Sequence, residues 1–265
     1  MIFRALIFCS VLFCSIFFIS IMAVAVANAA PTLKTKAKKE MPQFIIGVEE
    51  LHYYPQYDYD SKGAYKGLAR EILDLYASKR GYKFSYRVIA VAHLFQSLIR
   101  KEIDFKYPDN PYWQADIKEG ANIVYSDEVV AYVDGLMVKP ENKLMDIAQV
   151  KNISIPRGFT PNRYQELIKS GQINLIESNS FDSVLQLAIS GRADGAYFSK
   201  AVAEYQLKKN KQEGKLVFSY KLPHTKSAYF LSTAKHPQMM QDFNRFLEEE
   251  KREISHLKSK YEVEL

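Results

Sequence analysis

The sequence predicts an α/β protein built as two doubly wound α/β lobes joined by crossover strands. A helix–turn–strand unit occurs twice, ninety positions apart: Leu94, Phe95, Leu98, Ile99, Ile103 and Asp104 correspond to Val184, Leu185, Ala188, Ile189, Ala193 and Asp194. In each copy apolar residues recur at i, i+1, i+4 and i+5, break at a charged or glycine turn, and run into a short Asp-led apolar stretch. The elements around each copy alternate as βαβαβ, which calls for parallel strands with helices on both faces of a sheet. Roughly 235 residues follow an N-terminal leader, enough for two medium lobes. In open α/β sheets the ligand sits beyond the carboxyl ends of the strands.

The N-terminus addresses the chain for export. Arg4 gives a short positive region, residues 5–26 carry no charge, and Ala27-Asn28-Ala29 is a small-x-small cleavage site ahead of Ala30-Pro31. Residues 1–29 therefore read as a cleavable secretory signal peptide. Retention as a membrane anchor is the alternative, since the apolar stretch reaches the ~20 residues that span a bilayer. Both cysteines, Cys9 and Cys14, lie in this leader, so the mature chain is expected to hold together without disulfides. Ile7-Phe8 and Leu12-Phe13 precede them, where lipoprotein processing wants small residues. Residues 30–41 form a solvated spacer with Lys34, Lys36, Lys38 and Lys39 against Glu40. With Arg4 and this spacer set aside, little of the formal charge of +6 remains on the body, which argues against nucleic acid as a partner.

The folded domain is expected over 42–265. Residues 44–48 are a compact apolar run after Pro42, a first strand that opens into a loop at 49–60 dense in aromatics and acids. Leu68, Ile72, Leu75 and Tyr76 share one face of a helix over 68–79, with Gly81 as its stop. Residues 82–89 alternate as a strand, and the first repeated helix (92–100) and strand (103–107) follow. A rigid loop at 108–113 holds the only tryptophan, Trp113; extended segments at 124–126 and 129–138 come next, the second long enough to cross between lobes. Beyond it lie a strand at 153–155, a loop at 156–161, a helix at 162–169, a strand at 173–176 and the second repeated unit. A helix at 200–209, strands at 216–220 and 227–232, and an amphipathic helix at 237–258 complete the chain. Lobe one is thus placed at about 42–130 with a return at about 228–265 and lobe two at about 139–226, with hinges near 129–138 and 226–231.

Several short features occur in a telling order: the exported leader, the 44–48 strand opening into an aromatic-proline loop, and Tyr65-x-Gly67-Leu68 at the start of the first helix. Ile123-x-Tyr125-Ser126 before the crossover and Gly191-Arg192-Ala193-Asp194 before a strand continue the series. Through these motifs essentially the whole mature chain resembles bacterial family 3 extracellular solute-binding proteins. The resemblance implies a periplasmic-binding-protein-like fold of type II: a two-lobed, monomeric clamp in a Gram-negative-type periplasm. Such a clamp captures a small polar solute (amino-acid-like, an amine or an organic acid) and delivers it to an ABC permease. Members that bind amino acids use an Arg in a Thr-x-x-x-Arg loop of lobe one to fork the α-carboxylate, and an Asp beyond the second repeated strand for the α-ammonium. Here the loop at 108–118 has no Arg and the second position is Ser199, so standard α-amino acids are expected to bind weakly.

Candidate ligand residues follow from position and chemistry. Arg157 is the replacement cation, on a loop with Phe159 and Thr160 that leads into a helix N-terminus, where free amides favour an anionic group; a surface arginine paired with a nearby acid is the alternative. Asp109, in the Pro-Asp-Asn-Pro loop, is either the ligand's acid or a turn residue bonding its own backbone. Tyr53, Tyr54 and Trp113 stack on a flat or cationic ligand, or are packing. Glu49 and His52 are polar contacts or solvated loop residues. Two other classes stay open: a cyclohexadienyl dehydratase-like enzyme on the same scaffold, with Glu49, Asp58 or Asp109 as general acid, and a sensory protein that presents its ligand to a membrane receptor. No Gly-x-Ser-x-Gly turn, cysteine nucleophile or His-Glu-x-x-His helix is present, and His52, His93, His224, His236 and His256 lack ligand spacing, so no cofactor or metal is expected.

Overall fold

The computed structural model describes residues 40–263; the expected signal peptide and nearly all of the Lys-rich spacer lie outside them. The first half opens with β1 (Gln43–Glu49), followed by a small hairpin of β2 (Asp58–Tyr59) and β3 (Tyr65–Lys66). α1 (Leu68–Arg80) buries Leu68, Ile72, Leu73 and Tyr76 on one face, and Gly81 takes the left-handed φ of 69° that turns the chain back into β4 (Lys83–Ile89). α2 (Val91–Ile99), β5 (Phe105–Asp109), the short α3 (Ala115–Lys118) and β6 (Val124–Tyr125) lead to the crossover β7 (Val130–Val138). The second half contains β8 (Asn152–Pro156), α4 (Gln165–Lys169), β9 (Asn174–Ser178), α5 (Phe181–Ile189), β10 (Gly195–Ser199), α6 (Lys200–Lys209) and β11 (Val217–Phe218). β12 (Thr225–Thr233) carries the chain back to the first half, where α7 (Pro237–Glu249) and α8 (Lys251–Lys260) end it.

The strands run in the order β4-β1-β5-β12-β7-β10-β8-β9. β4-β1-β5 are parallel, as are β10-β8-β9, while β12 and β7 pair antiparallel with each other and with their flanking strands. Each half thus has its second strand outermost, its first strand next and its third strand inside, and the two halves are joined through the two long crossover strands. The reversal between first and third strand marks a crevice at β1/β5 and another at β8/β10.

The repeat holds to the residue. α2 and α5 are offset by ninety positions, as are β5 and β10. The aspartates that begin each repeated stretch do the same work: Asp104 Oδ2 accepts the Ile45 N–H at 2.7 Å, and Asp194 Oδ2 accepts the N–H groups of Lys151 and Asn152 at 2.7 and 2.8 Å. Each ties the start of its third strand to the start of its first. The first repeated strand begins at Phe105, two residues later than expected, because Asp104 serves as a backbone acceptor rather than a ladder residue; the second begins at Gly195, directly after Asp194. Gly47 lets α2 lie close on β1, since a Cβ there would collide with the Leu94 and Ile103 side chains.

Three expectations are corrected. Pro108 and Asp109 belong to β5 and are buried, not the start of a loop. The helix expected at 162–169 is reduced to a 3₁₀ turn at 162–164 and the short α4. The long C-terminal helix breaks at Glu250 into α7 and α8. Glu248, Glu249 and Glu250 oppose the helix dipole at that end, and Lys79 and Arg80 of α1 hold Glu250 and Glu249 at 2.7 and 2.8 Å.

Candidate functional site

A cavity lies where the carboxyl ends of the parallel strands of the two halves meet. The first half supplies Glu49 at the end of β1, Tyr53 and Tyr57 from the loop after it, Val91 and Phe95 of α2, and Trp113 beyond β5. The second half supplies Gly158, Phe159 and Thr160 after β8 and Tyr197 of β10, and the crossover strands add Asp134 and Tyr229. Its free volume is about 20 Å³, room for about one water molecule. Phe159 and Thr160 also line an outer cleft with residues of Tyr112–Asp116 and Pro161–Arg163.

Tyr53 packs against residues of both halves. Its ring stacks on Tyr57 at 5.0 Å and meets Phe159 at 5.7 Å and Phe181 at 5.1 Å, and its hydroxyl accepts the Ser199 N–H at 3.1 Å. Gln114 Nε2 donates to the Gly158 carbonyl and Gln206 Nε2 to the His52 carbonyl, each at 3.3 Å. Gly158, at φ 86°, sits so close that an added Cβ would lie 3.1 Å from Val91. These contacts close the two halves on each other.

The electrostatics are uneven. Glu49 is buried and accepts a hydrogen bond from the Tyr57 hydroxyl. Burial pushes its carboxyl above the usual range, while the charge of Lys106 works in the opposite direction. Asp134, 7% exposed, has its Oδ1 buried without a hydrogen-bond partner, and no ion pair reaches it among the described residues. Burial first, and the nearby Glu49 second, push it up to about 8. Behind the cavity lies a second cluster. Lys106 Nζ and Lys118 Nζ stand 3.3 and 3.4 Å from Asp109 Oδ1, and Ser232 donates to Asp109 Oδ2 at 2.6 Å. Lys106 also lies over the Phe95 ring at 4.3 Å and near Trp113 at 5.5 Å, two rings that line the cavity.

Of the residues singled out from sequence, Glu49, Tyr53, Trp113, Phe159 and Thr160 come together around this cavity. Asp109 does not line it: its carboxylate is spent on two lysines, a serine and the Asn110 N–H. Arg157 is also elsewhere. Its side chain is 59% exposed with Nε 4.0 Å from Glu177, the geometry of the surface-pair alternative. Tyr54 faces a separate groove beside Tyr205 (4.6 Å) and Tyr261 (5.8 Å), and Ser199 lines that same groove while its N–H holds Tyr53. His52 stacks on Tyr59 and pairs with Asp58 at 2.6 Å. Tyr57, Val91, Phe95, Asp134, Tyr197 and Tyr229 were missed. Asp134 carried a readable signal as the only charge in the apolar run 129–138, as did Lys106 inside β5. Among the described residues no group of three or more His, Cys, Asp or Glu is placed to hold a metal ion, and no helix is long and apolar enough to cross a membrane.

No protein-family model and no curated protein matches the chain. Solved structures do. A histidine kinase sensor domain with similarity to periplasmic binding proteins matches with TM-score 0.69 at 16% identity, over 83% of this chain and 96% of that one. A substrate-binding protein of an ABC uptake transporter from Streptococcus pneumoniae, with bound histidine, matches with TM-score 0.66 at 15% identity, over 83% and 92%. An ancestral amino acid-binding protein described as a precursor of cyclohexadienyl dehydratase matches with TM-score 0.65 at 18% identity, over 83% and 95%. Likeness at these identities establishes architecture: the chain has the periplasmic-binding-protein-like type II fold, two α/β lobes joined by crossover strands.

Proposed function

We propose that the protein is an exported solute-binding protein that captures a small polar molecule between its lobes and hands it to a membrane partner, an ABC permease in the first instance. The observation that carries this reading is the cavity itself: walled from both lobes, at the carboxyl ends of β1 and β8, and flanked by two crossover strands able to act as a hinge. Residues 1–29 act as the export signal and 30–41 as a spacer in this reading. Glu49, Tyr53, Trp113, Phe159 and Thr160 contact the solute, with Asp134 added from the crossover. The binding of amino acids and the transporter role named for the similar proteins support the same class of activity, and the sensor-domain likeness keeps a receptor as the second kind of partner. A thermal-shift screen of amines, amino acids and organic acids, joined to small-angle scattering, tests it. Hits must raise the melting temperature, by about 2.7 kcal/mol of stabilisation at a hundredfold excess over Kd, and change the radius of gyration. A screen with neither response refutes it.

An enzymatic reading is favoured by one observation: Asp134, a buried carboxyl that lines the cavity with its Oδ1 unpartnered and is pushed up to about 8, is placed as a general acid is. Mass analysis of each hit after incubation separates the two, since a binding protein returns its solute unchanged.

A further inference from the structure

The charge count around the cavity is unbalanced in a way that specifies a ligand. Two carboxyl groups face it, Glu49 and Asp134, and none of its lining residues is a lysine, arginine or histidine. The buried groups behind it nearly neutralise one another: Lys106 and Lys118 oppose Asp109, and the remaining positive charge is answered by Glu49, on which Lys106 acts directly. Asp134 is the carboxyl left over. It is buried, its Oδ1 has no donor, and it shares its cavity with tyrosine and tryptophan rings. A buried carboxylate without a partner is costly, and an aromatic wall attracts a cation through its ring quadrupoles.

We propose that Asp134 is the counter-ion of the transported solute, and that the solute is a compact organic cation without a carboxylate, an amine or a quaternary ammonium. The inference rests on reading this cavity as the solute site. A zwitterionic amino acid would bring its carboxylate beside Glu49 with no cation in the lining to meet it, whereas an alkylammonium group pairs with Asp134 and lies against Tyr53, Trp113 and Tyr229. Tyr53 must move aside to admit it, and its hydroxyl is then released from the Ser199 N–H.

The groups that face Asp134 are Glu49 from β1, Tyr53 from the loop after it, Tyr132 on its own strand, Tyr197 from β10 and Tyr229 from β12. None brings a positive charge, so cation binding must draw the proton off Asp134 and affinity must rise with pH. Choline suits this test because its charge does not titrate.

The experiment measures affinity by calorimetry on the mature protein for pairs that differ in one carboxylate: choline against glycine betaine, and isoamylamine against leucine. The carboxylate-free member is expected to bind at least about tenfold tighter, because like charges set side by side cost more than the 1.4 kcal/mol of a tenfold step. Choline affinity is expected to rise by about tenfold per pH unit from 6 towards 8 and then level off. Asp134→Asn is expected to lose at least about tenfold in choline affinity and all of the pH dependence, with circular dichroism confirming the fold. Glycine betaine or leucine binding as tightly as its partner overturns the inference while leaving solute capture standing, as does choline binding that Asp134→Asn leaves unchanged. If nothing in either pair binds and the wider screen is also silent, both readings fall together.

Discussion

Substituting Asp134 by Asn is expected to stabilise the protein by an amount that grows with pH. The carboxyl titrates near 3.8 in an unstructured chain and is pushed up to about 8 in the fold, where burial and Glu49 both disfavour its charge. A raised carboxyl pKa contributes stability that is complete below the unfolded value and is lost as pH climbs to the folded one. The window therefore runs from about pH 4 to about pH 8. At 1.36 kcal/mol per unit, a shift of about four units costs the wild type about 5 kcal/mol at pH 8. Asn escapes this cost but keeps an unsatisfied amide worth about 1–3 kcal/mol, so the net gain at pH 8 is about 2–4 kcal/mol. At about 2–4 °C per kcal/mol for a body of this size, the melting temperature rises by about 10 °C. The amide penalty does not vary with pH, so the slope is the clean signature. Urea denaturation of both proteins at pH 5, 6, 7 and 8 should give a stability difference that widens by about 1.4 kcal/mol per pH unit. A difference that stays constant across the series, or a variant that loses ground as pH rises, would refute the electrostatic account of Asp134.

Other changes probe the closed cleft and its support. Tyr53→Phe removes the acceptor for the Ser199 N–H; it should cost about 1 kcal/mol in denaturant stability and enlarge the radius of gyration, and an unchanged scattering curve would show that Tyr53 does not latch the lobes. Lys106→Met leaves Asp109 and Glu49 short of a charge partner in a buried site and should destabilise by about 3–5 kcal/mol in urea titration; a near-neutral result would mean the cluster tolerates its charge. Ser180→Ala deletes the side chain that caps α5 by accepting the Ser183 N–H at 3.4 Å, an expected loss of about 1 kcal/mol read from the same titration. Arg157→Ala should leave solute affinity within about twofold by calorimetry, because the exposed side chain faces Glu177 rather than the cavity.

The sequence by itself determined the architecture. Helix and strand periods are local, and the aspartates at 104 and 194 mark the same joint in both halves because each must tie its third strand to its first. Gly81 likewise announces the end of α1 through a backbone angle that favours glycine. Part of the cavity was legible for the same reason: Glu49 ends a strand and Tyr53, Trp113, Phe159 and Thr160 follow strand ends, where this class of sheet places its ligand. What only the tertiary structure decided was the use of each charge. Arg157 and Asp109 also follow or end strands, yet one turns outward to a surface acid and the other is consumed by Lys106 on its own strand, Lys118 of α3 and Ser232 of the distant β12. Asp134 sits in mid-strand and acquires its role only when β7 packs between β10 and β12 and brings Tyr197 and Tyr229 around it. A carboxyl's role depends on which charges, donors and rings surround it after folding, and these partners arrive from strands far apart in the chain.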